Sequence, residues 1–154
     1  MGNISMNFHG AKLALISGDH VLTLLRDDKP DIPFPDMWDF PGGGREGDET
    51  PKECVLRELW EEFGLRLSVD DLIYGAHRDG VLQGQVRIWF FGAVVQGFDP
   101  AQIWFGDEGQ EWEMMPIETY LSHAKAITHL QDGLRGFLGH LGKAYGSVTD
   151  DYFG

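Results

Sequence analysis

Residues 43–65, GGREGDETPKECVLRELWEEFGL, hold the most readable element of this chain. Thr50 is a good N-cap, Pro51 suits the first helical position, and Glu53, three residues after the cap, completes a capping box. Gly64 supplies the C-terminal stop, with Leu65 just beyond it. The spacing predicts a helix over 51–63. On a wheel turning about 100° per residue, Glu58, Glu61 and Glu62 share one arc, and Val55, Leu56, Leu59 and Phe63 fill a neighbouring one. The apolar arc packs on a sheet. The acidic arc sets carboxylates at i, i+3 and i+4, where like charges cost a helix about 0.2–0.5 kcal/mol per pair. They also lie in the C-terminal half, where the macrodipole disfavours anions. A hard cation bound by oxygen, Mg²⁺ or Mn²⁺, removes both penalties. A solvated acidic face is the plain alternative.

Working outward, Phe40-Pro41-Gly42-Gly43-Gly44 precedes the helix. Glycine lets backbone approach a ligand closely, so beside an acidic helix this turn makes sense as a wall of a metal–phosphate site; a simple loop is the other reading. Residues 27–44 as a whole are dense in Asp, Pro and Gly and are expected to form a long loop, of the kind that is either functional or disordered. Before it, residues 12–17 (KLALIS) and 21–26 (VLTLLR) flank Gly18-Asp19-His20 and predict a hairpin. After the helix, residues 86–95 (VRIWFFGAVV) read as a strand, 72–78 as its weaker partner, and 111–117 as another short strand. Ile127, Leu130, Leu134, Phe137, Leu138 and Leu141 recur at helical spacing and predict an amphipathic helix over 122–142. The tail GSVTDDYFG has no clear period. Strands flanking two helices imply a layered α/β or α+β sandwich.

The chain has 154 residues, suited to one domain over 1–154. Its 12% aromatic content excludes wholesale disorder. A net charge of -13 argues against a nucleic-acid polymer as partner, because phosphate backbones need a basic footprint. An anionic small molecule needs a cation to neutralise both it and the protein. One cysteine, Cys54, excludes an internal disulfide. The start MGNISMNFHGAKLAL lacks a signal-peptide pattern, and no apolar run approaches 18 residues, so a cytoplasmic protein without membrane contact is expected.

Gly43, five residues, Glu49, seven residues, then Arg57-Glu58-Leu59-Trp60-Glu61-Glu62-Phe63-Gly64-Leu65 resembles the Nudix box at all nine of its specified positions. With Trp38-Asp39-Phe40-Pro41-Gly42 and the strand order around the box, the likeness to the MutT-type branch extends over most of 10–120. The resemblance implies an α/β fold, a Nudix-like α/β/α sandwich with a mixed sheet between helices. It implies a divalent-metal-dependent hydrolase of a pyrophosphate linkage in a nucleoside diphosphate derivative. By the same likeness, Glu58, Glu61 and Glu62 are metal ligands, with Glu58 the first choice for general base. Arg57 orients the box carboxylates by charge-assisted hydrogen bonds. Glu49 supports the loop–helix junction or an outer-shell water, and the Gly42 carbonyl is a backbone metal ligand. A later loop often adds a carboxylate; in Asp107-Glu108-Gly109-Gln110-Glu111-Trp112 the first choice is Glu108, with Glu111 second.

The substrate is less legible. Arg26 resembles a phosphate-contacting arginine, or is an exposed strand-end residue. Trp38 and Phe40 flank Gly42 and Gly43 and either stack on a base or anchor the loop. Trp60, Trp89, Trp104 and Trp112 read as core or partner-surface residues, Cys54 as a packing residue, and His77 and Arg78 as surface or phosphate-contacting. ADP-ribose and dinucleoside polyphosphate members carry Pro or Tyr near the place of Gly80–Gln83, where this chain has neither. No Asn follows Asn7, which argues against oxidised guanine read as MutT reads it. A nucleoside or deoxynucleoside triphosphate, cleaved to monophosphate and pyrophosphate, is the leading expectation. A nucleotide-sugar or ADP-ribose pyrophosphatase is one alternative, and a non-catalytic nucleotide-binding sensor another. The family resemblance also admits a homodimer.

Overall fold

The computed structural model describes residues 7–80, 82 and 86–142. In chain order the elements are β1 (Gly10–Ser17), β2 (His20–Leu25), β3 (Trp38–Asp39), β4 (Gly42–Gly44), α1 (Pro51–Phe63), β5 (Tyr74–Asp79), β6 (Arg87–Val94), β7 (Glu111–Pro116), α2 (Ile117–Ser122) and α3 (Thr128–His140). β1 and β2 form the expected hairpin, closed by Gly18-Asp19 with Ile16 opposite Val21. β1 runs parallel to β6 from Gly10–Ile88 to Ile16–Val94, while the other pairings between described strands are antiparallel, so the sheet is mixed as expected. Its main order is β3-β2-β1-β6-β5, with β4 on β1 and β7 on β2.

Strand alternation sends side chains to two cores. Ala14 and Ile16 of β1 join Phe40, Phe90, Tyr120, Leu130, Leu134 and Phe137 on the α2/α3 face. Leu13 and Leu15 join Val55, Leu59, Phe63 and Phe91 on the α1 face. The sheet therefore lies between helical layers, which is the α/β/α sandwich the resemblance implies.

Two expectations are corrected. The 27–44 loop contains β3 and β4, because the free edges of β2 and β1 recruit Trp38–Asp39 and Gly42–Gly44. The helix expected over 122–142 begins only at Thr128, and the separate α2 precedes it. The reason is a backbone contact: Trp38 N–H donates to the Lys125 carbonyl at 2.8 Å and Ala126 bridges to Trp38. Peptide groups engaged with a strand cannot also serve a helical ladder. The last residues of that expected helix keep the apolar spacing, with Leu130, Leu134, Phe137 and Leu138 all buried. The tail reading falls outside the described residues. Among those described, no helix is long and apolar enough to cross a membrane.

Candidate active site

α1 positions the box because both its ends are fixed. Thr50 Oγ1 accepts from the Glu53 N–H at 3.2 Å, and Glu53 Oε1 accepts from the Thr50 N–H at 2.9 Å. Gly64 ends the helix in the left-handed conformation, φ 66°, and returns its N–H to the Trp60 carbonyl at 2.9 Å. Between these ends Val55, Leu59 and Phe63 are buried, which turns Glu58, Glu61 and Glu62 towards the glycine loop and solvent.

Arg57 is the hub of the polar face. Its Nε and Nη2 meet the two carboxylate oxygens of Glu49 at 2.6 and 3.1 Å, and Nη2 also donates to the Gly44 carbonyl at 2.9 Å. Nη1 reaches Glu61 at 3.0 Å and Glu58 at 3.3 Å. Glu46 lies at 3.4 Å. The guanidinium hydrogen bonds hold Glu49 below the usual carboxylate range. Glu58 is pulled two ways: burial raises its pKa and the charge of Arg57 lowers it, with a net rise.

The need for glycine at position 43 is steric. A Cβ there would fall on the carboxylate of Glu58. Glu58 thus lies against bare backbone, in a cradle that any side chain would fill. Glu62 lies on the other side of the loop, where its Oε1 accepts from the Gly42 N–H at 2.9 Å. Burial pushes its carboxyl up to about 8, opposed by the charge of Lys12 and by that hydrogen bond.

A second polar centre was not singled out from the sequence. Asp39 is 2% exposed, and its Oδ2 accepts from Lys12 Nζ at 2.8 Å and Arg26 Nη1 at 2.9 Å. Its Oδ1 takes the Phe40 N–H at 2.7 Å. The readable signal was Lys12, a lone cation inside the apolar run GAKLALIS. Arg26 is therefore tied to a buried carboxylate rather than left as a free strand end. It lines two clefts, one shared with Lys12, Asp39, Gly43 and Gly44, the other with Asp39, Glu62 and Glu108.

Trp38 and Phe40 are corrected as base-stacking candidates. Phe40 is wholly buried, with its ring 4.6 Å from Tyr120 and 6.1 Å from Phe90. Trp38 is 8% exposed, in the same core. Both anchor the loop because β3 inserts them under α2 and α3. Glu108 shares its cleft with Glu62. Glu111 opens β7 opposite Leu25 as an exposed residue. Cys54 is buried, and desolvation pushes its thiol up to about 12, in keeping with a packing role. Trp104 is 80% exposed and Trp60 44%, so neither is core.

The acids are brought to one end of the sheet but not to one point. Among the described residues, no three His, Cys, Asp or Glu side chains already surround a single position. The hydrogen bonds explain the division: Arg57 draws Glu58 and Glu61, while the Gly42 N–H fixes Glu62. The donor chemistry nevertheless suits a hard divalent cation. All donors are oxygen, Glu58 sits in a cradle kept open by Gly43, and among the described residues no cation is directly paired with the half-buried Glu62.

The NUDIX domain family matches residues 8–133, so the chain belongs to the NUDIX family. Families of this kind generally use divalent cations. A MutT-like protein of Streptomyces ambofaciens is 57% identical over 35 residues, 23% of this chain and 23% of that protein, so this match spans under a quarter of the relative. The nucleoside triphosphatase NudI of Enterobacter sp. (strain 638) is 30% identical over 115 residues, covering 66% of this chain and 79% of the relative. The crystal structure of the MutT protein from Methanosarcina mazei Go1 superposes with a TM-score of 0.69 at 22% identity, over 88% of this chain and 96% of that one, and it shares the mixed sheet between helices.

Proposed function

We propose that this chain is a pyrophosphohydrolase that cleaves a nucleoside or deoxynucleoside triphosphate to a monophosphate and pyrophosphate. The observation that carries the reading is the hub around Arg57, which ties Glu49, Glu58 and Glu61 together beside a glycine whose Cβ would displace Glu58. Glu58, Glu61 and Glu62 would hold Mg²⁺ or Mn²⁺, with the Gly42 carbonyl and Glu108 as further donors. When bound, such an ion neutralises phosphate charge and acidifies a water.

The residues have separable tasks. Glu58 accepts the proton of the attacking water; burial, by raising its pKa, brings it nearer the working range of a general base. Arg57 fixes the direction of Glu58 and Glu61 by charge-assisted bonds. Glu49, kept ionised by Arg57, holds the guanidinium in place. Lys12 and Arg26, both anchored on Asp39, present positive charge to the cleft shared with Gly43 and Gly44 and would meet the substrate's phosphates. Positioning and electrostatics supply most of the acceleration in phosphoryl transfer.

A nucleoside triphosphate is favoured over a nucleotide sugar by the name borne by the Enterobacter relative, a nucleoside triphosphatase. The reading carries with it a cytoplasmic setting, in keeping with a single cysteine, and small nucleotides rather than polymers, in keeping with a net charge of -13. A screen of nucleotides, nucleotide sugars and dinucleotides with Mg²⁺ and a phosphate readout tests it. Turnover confined to nucleotide sugars would transfer the assignment to the sugar-nucleotide class, and binding without turnover to a sensor.

A further inference from the structure

The C-terminal end of α1 carries an aromatic cleft that the hydrolytic reading leaves unused. Trp60, Glu61, Trp104, Phe105, Gly106 and Asp107 line it. Backbone hydrogen bonds build it. The N–H groups of Trp104 and Gly106 donate to the Phe63 and Glu62 carbonyls at 2.9 and 2.8 Å, which lays this loop across the helix end. Phe105 packs inward on Phe63, with ring centroids 5.6 Å apart. Its neighbour Trp104 is left 80% exposed, beside Trp60 in the last turn of α1 at 44%. Two large rings in water add nothing to the core, so their shared cleft reads as a contact surface.

The chemistry around the rings selects a cation. The C-terminal end of α1 carries the negative end of the helix dipole. Glu61 and Asp107 add exposed carboxylates. Among the described residues Asp107 makes no ion pair, so its charge is not neutralised. The face of a tryptophan ring attracts cations, arginine most often. Trp60 already holds one: the guanidinium carbon of Arg66 lies 3.9 Å from the centre of its ring. Among the described residues, no guanidinium covers Trp104 in the same way.

Magnitudes then decide what carries the cation. An exposed cation–π contact raises affinity about two- to fivefold, and an exposed ion pair adds no more than that. A free small cation therefore gains too little to stay bound. A second copy of this chain is repelled, because each copy bears a net charge of -13. A polypeptide adds contacts on both sides of one anchor, and tryptophan and arginine are the residues that dominate such interfaces.

We propose that the cleft between Trp60 and Trp104 docks an arginine side chain on a basic segment of a partner protein, with the guanidinium against Trp104 and beside Asp107. The net charge of -13 steers such a segment towards the protein. Neither Trp104 nor Asp107 has a task in hydrolysis, so docking and turnover are separate properties.

The test titrates glycine-rich peptides bearing arginine, lysine or uncharged citrulline at the same positions into the protein with Mg²⁺ present. Nitrogen-15 NMR of the indole N–H groups reports where each binds. The arginine peptide should move the Trp60 and Trp104 signals and leave those of Trp38, Trp89 and Trp112 in place. It should bind at least about threefold more tightly than the lysine peptide, and the citrulline peptide should not bind. Trp104→Ala should weaken arginine-peptide binding about fivefold, Trp104→Phe less, and Asp107→Asn about twofold. Unfolding midpoints should persist, because both side chains are exposed. No shift at Trp104, equal affinity for arginine and lysine peptides, or binding unaltered by Trp104→Ala would overturn the proposal. Submillimolar binding of agmatine, a free guanidinium, would give the cleft to a small ligand, and a dimer dissolved by Trp104→Ala would give it to a second copy; either result also overturns it.

Discussion

Arg57 grips both oxygens of the Glu49 carboxylate, with Nε at 2.6 Å and Nη2 at 3.1 Å, across eight residues of sequence that include the helix start. This forked pair joins the glycine loop to α1 and leaves Nη1 for Glu58 and Glu61. Lysine has one ammonium where arginine has a planar fork, so Arg57→Lys cannot reproduce the forked pair with Glu49 while also bonding Glu58 and Glu61. Arg57→Ala goes further and strands partly buried carboxylates. We expect Arg57→Ala to destabilise the fold by about 3 kcal/mol, the lower end for breaking a buried pair because this one is partly exposed. Arg57→Lys should fold but lose turnover, as checked by urea unfolding and steady-state kinetics.

Glu58→Gln removes the proposed proton acceptor while preserving shape. Turnover should fall at least about a hundredfold, the low end for general acid–base catalysis. The secondary-structure spectrum and unfolding midpoint should persist. Undiminished phosphate release would exclude Glu58 from proton transfer.

Glu62 gives a pH signature. Its carboxyl is raised from 4.5 to about 8 by burial, so the folded protein keeps a proton that the unfolded chain releases. The resulting destabilisation is absent below pH 4.5 and grows until pH passes about 8. Without added metal, unfolding temperature should therefore decline over that window, and Glu62→Gln should flatten the decline. A divalent ion bound to ionised Glu62 should reverse it and release a proton, measurable as a buffer-dependent binding enthalpy.

Gly43→Ala tests the cradle. The added Cβ meets the Glu58 carboxylate, not apolar packing, so Glu58 must move. We expect a folded protein with lower kcat and weakened Mn²⁺ binding by calorimetry. Full activity would show that Glu58 does not need its present position.

The helix was legible because its determinants are local. Thr50, Pro51, Glu53 and Gly64 fix α1 through contacts within a few residues, and the predicted 51–63 coincides with the observed Pro51–Phe63. The hairpin was readable from two apolar runs about Gly18-Asp19-His20, and β6 from its apolar run over 86–95. What escaped reading depends on partners distant in sequence. Trp38 meets Ala126 through a backbone bridge, and that contact both makes β3 and divides the expected last helix. Trp38 and Phe40 look like loop aromatics until α2 and α3 cover them. Asp39 becomes a site residue only when β1 and β2 bring Lys12 and Arg26 to it, 27 and 13 residues away.

The most direct test of the central claim is product analysis by phosphorus NMR of nucleoside triphosphates incubated with the purified protein and Mg²⁺. The account predicts monophosphate and pyrophosphate in equal amounts, with no turnover when the metal is chelated. Nucleoside diphosphate with inorganic phosphate, or unaltered triphosphates across all bases in the presence of Mg²⁺, would contradict it.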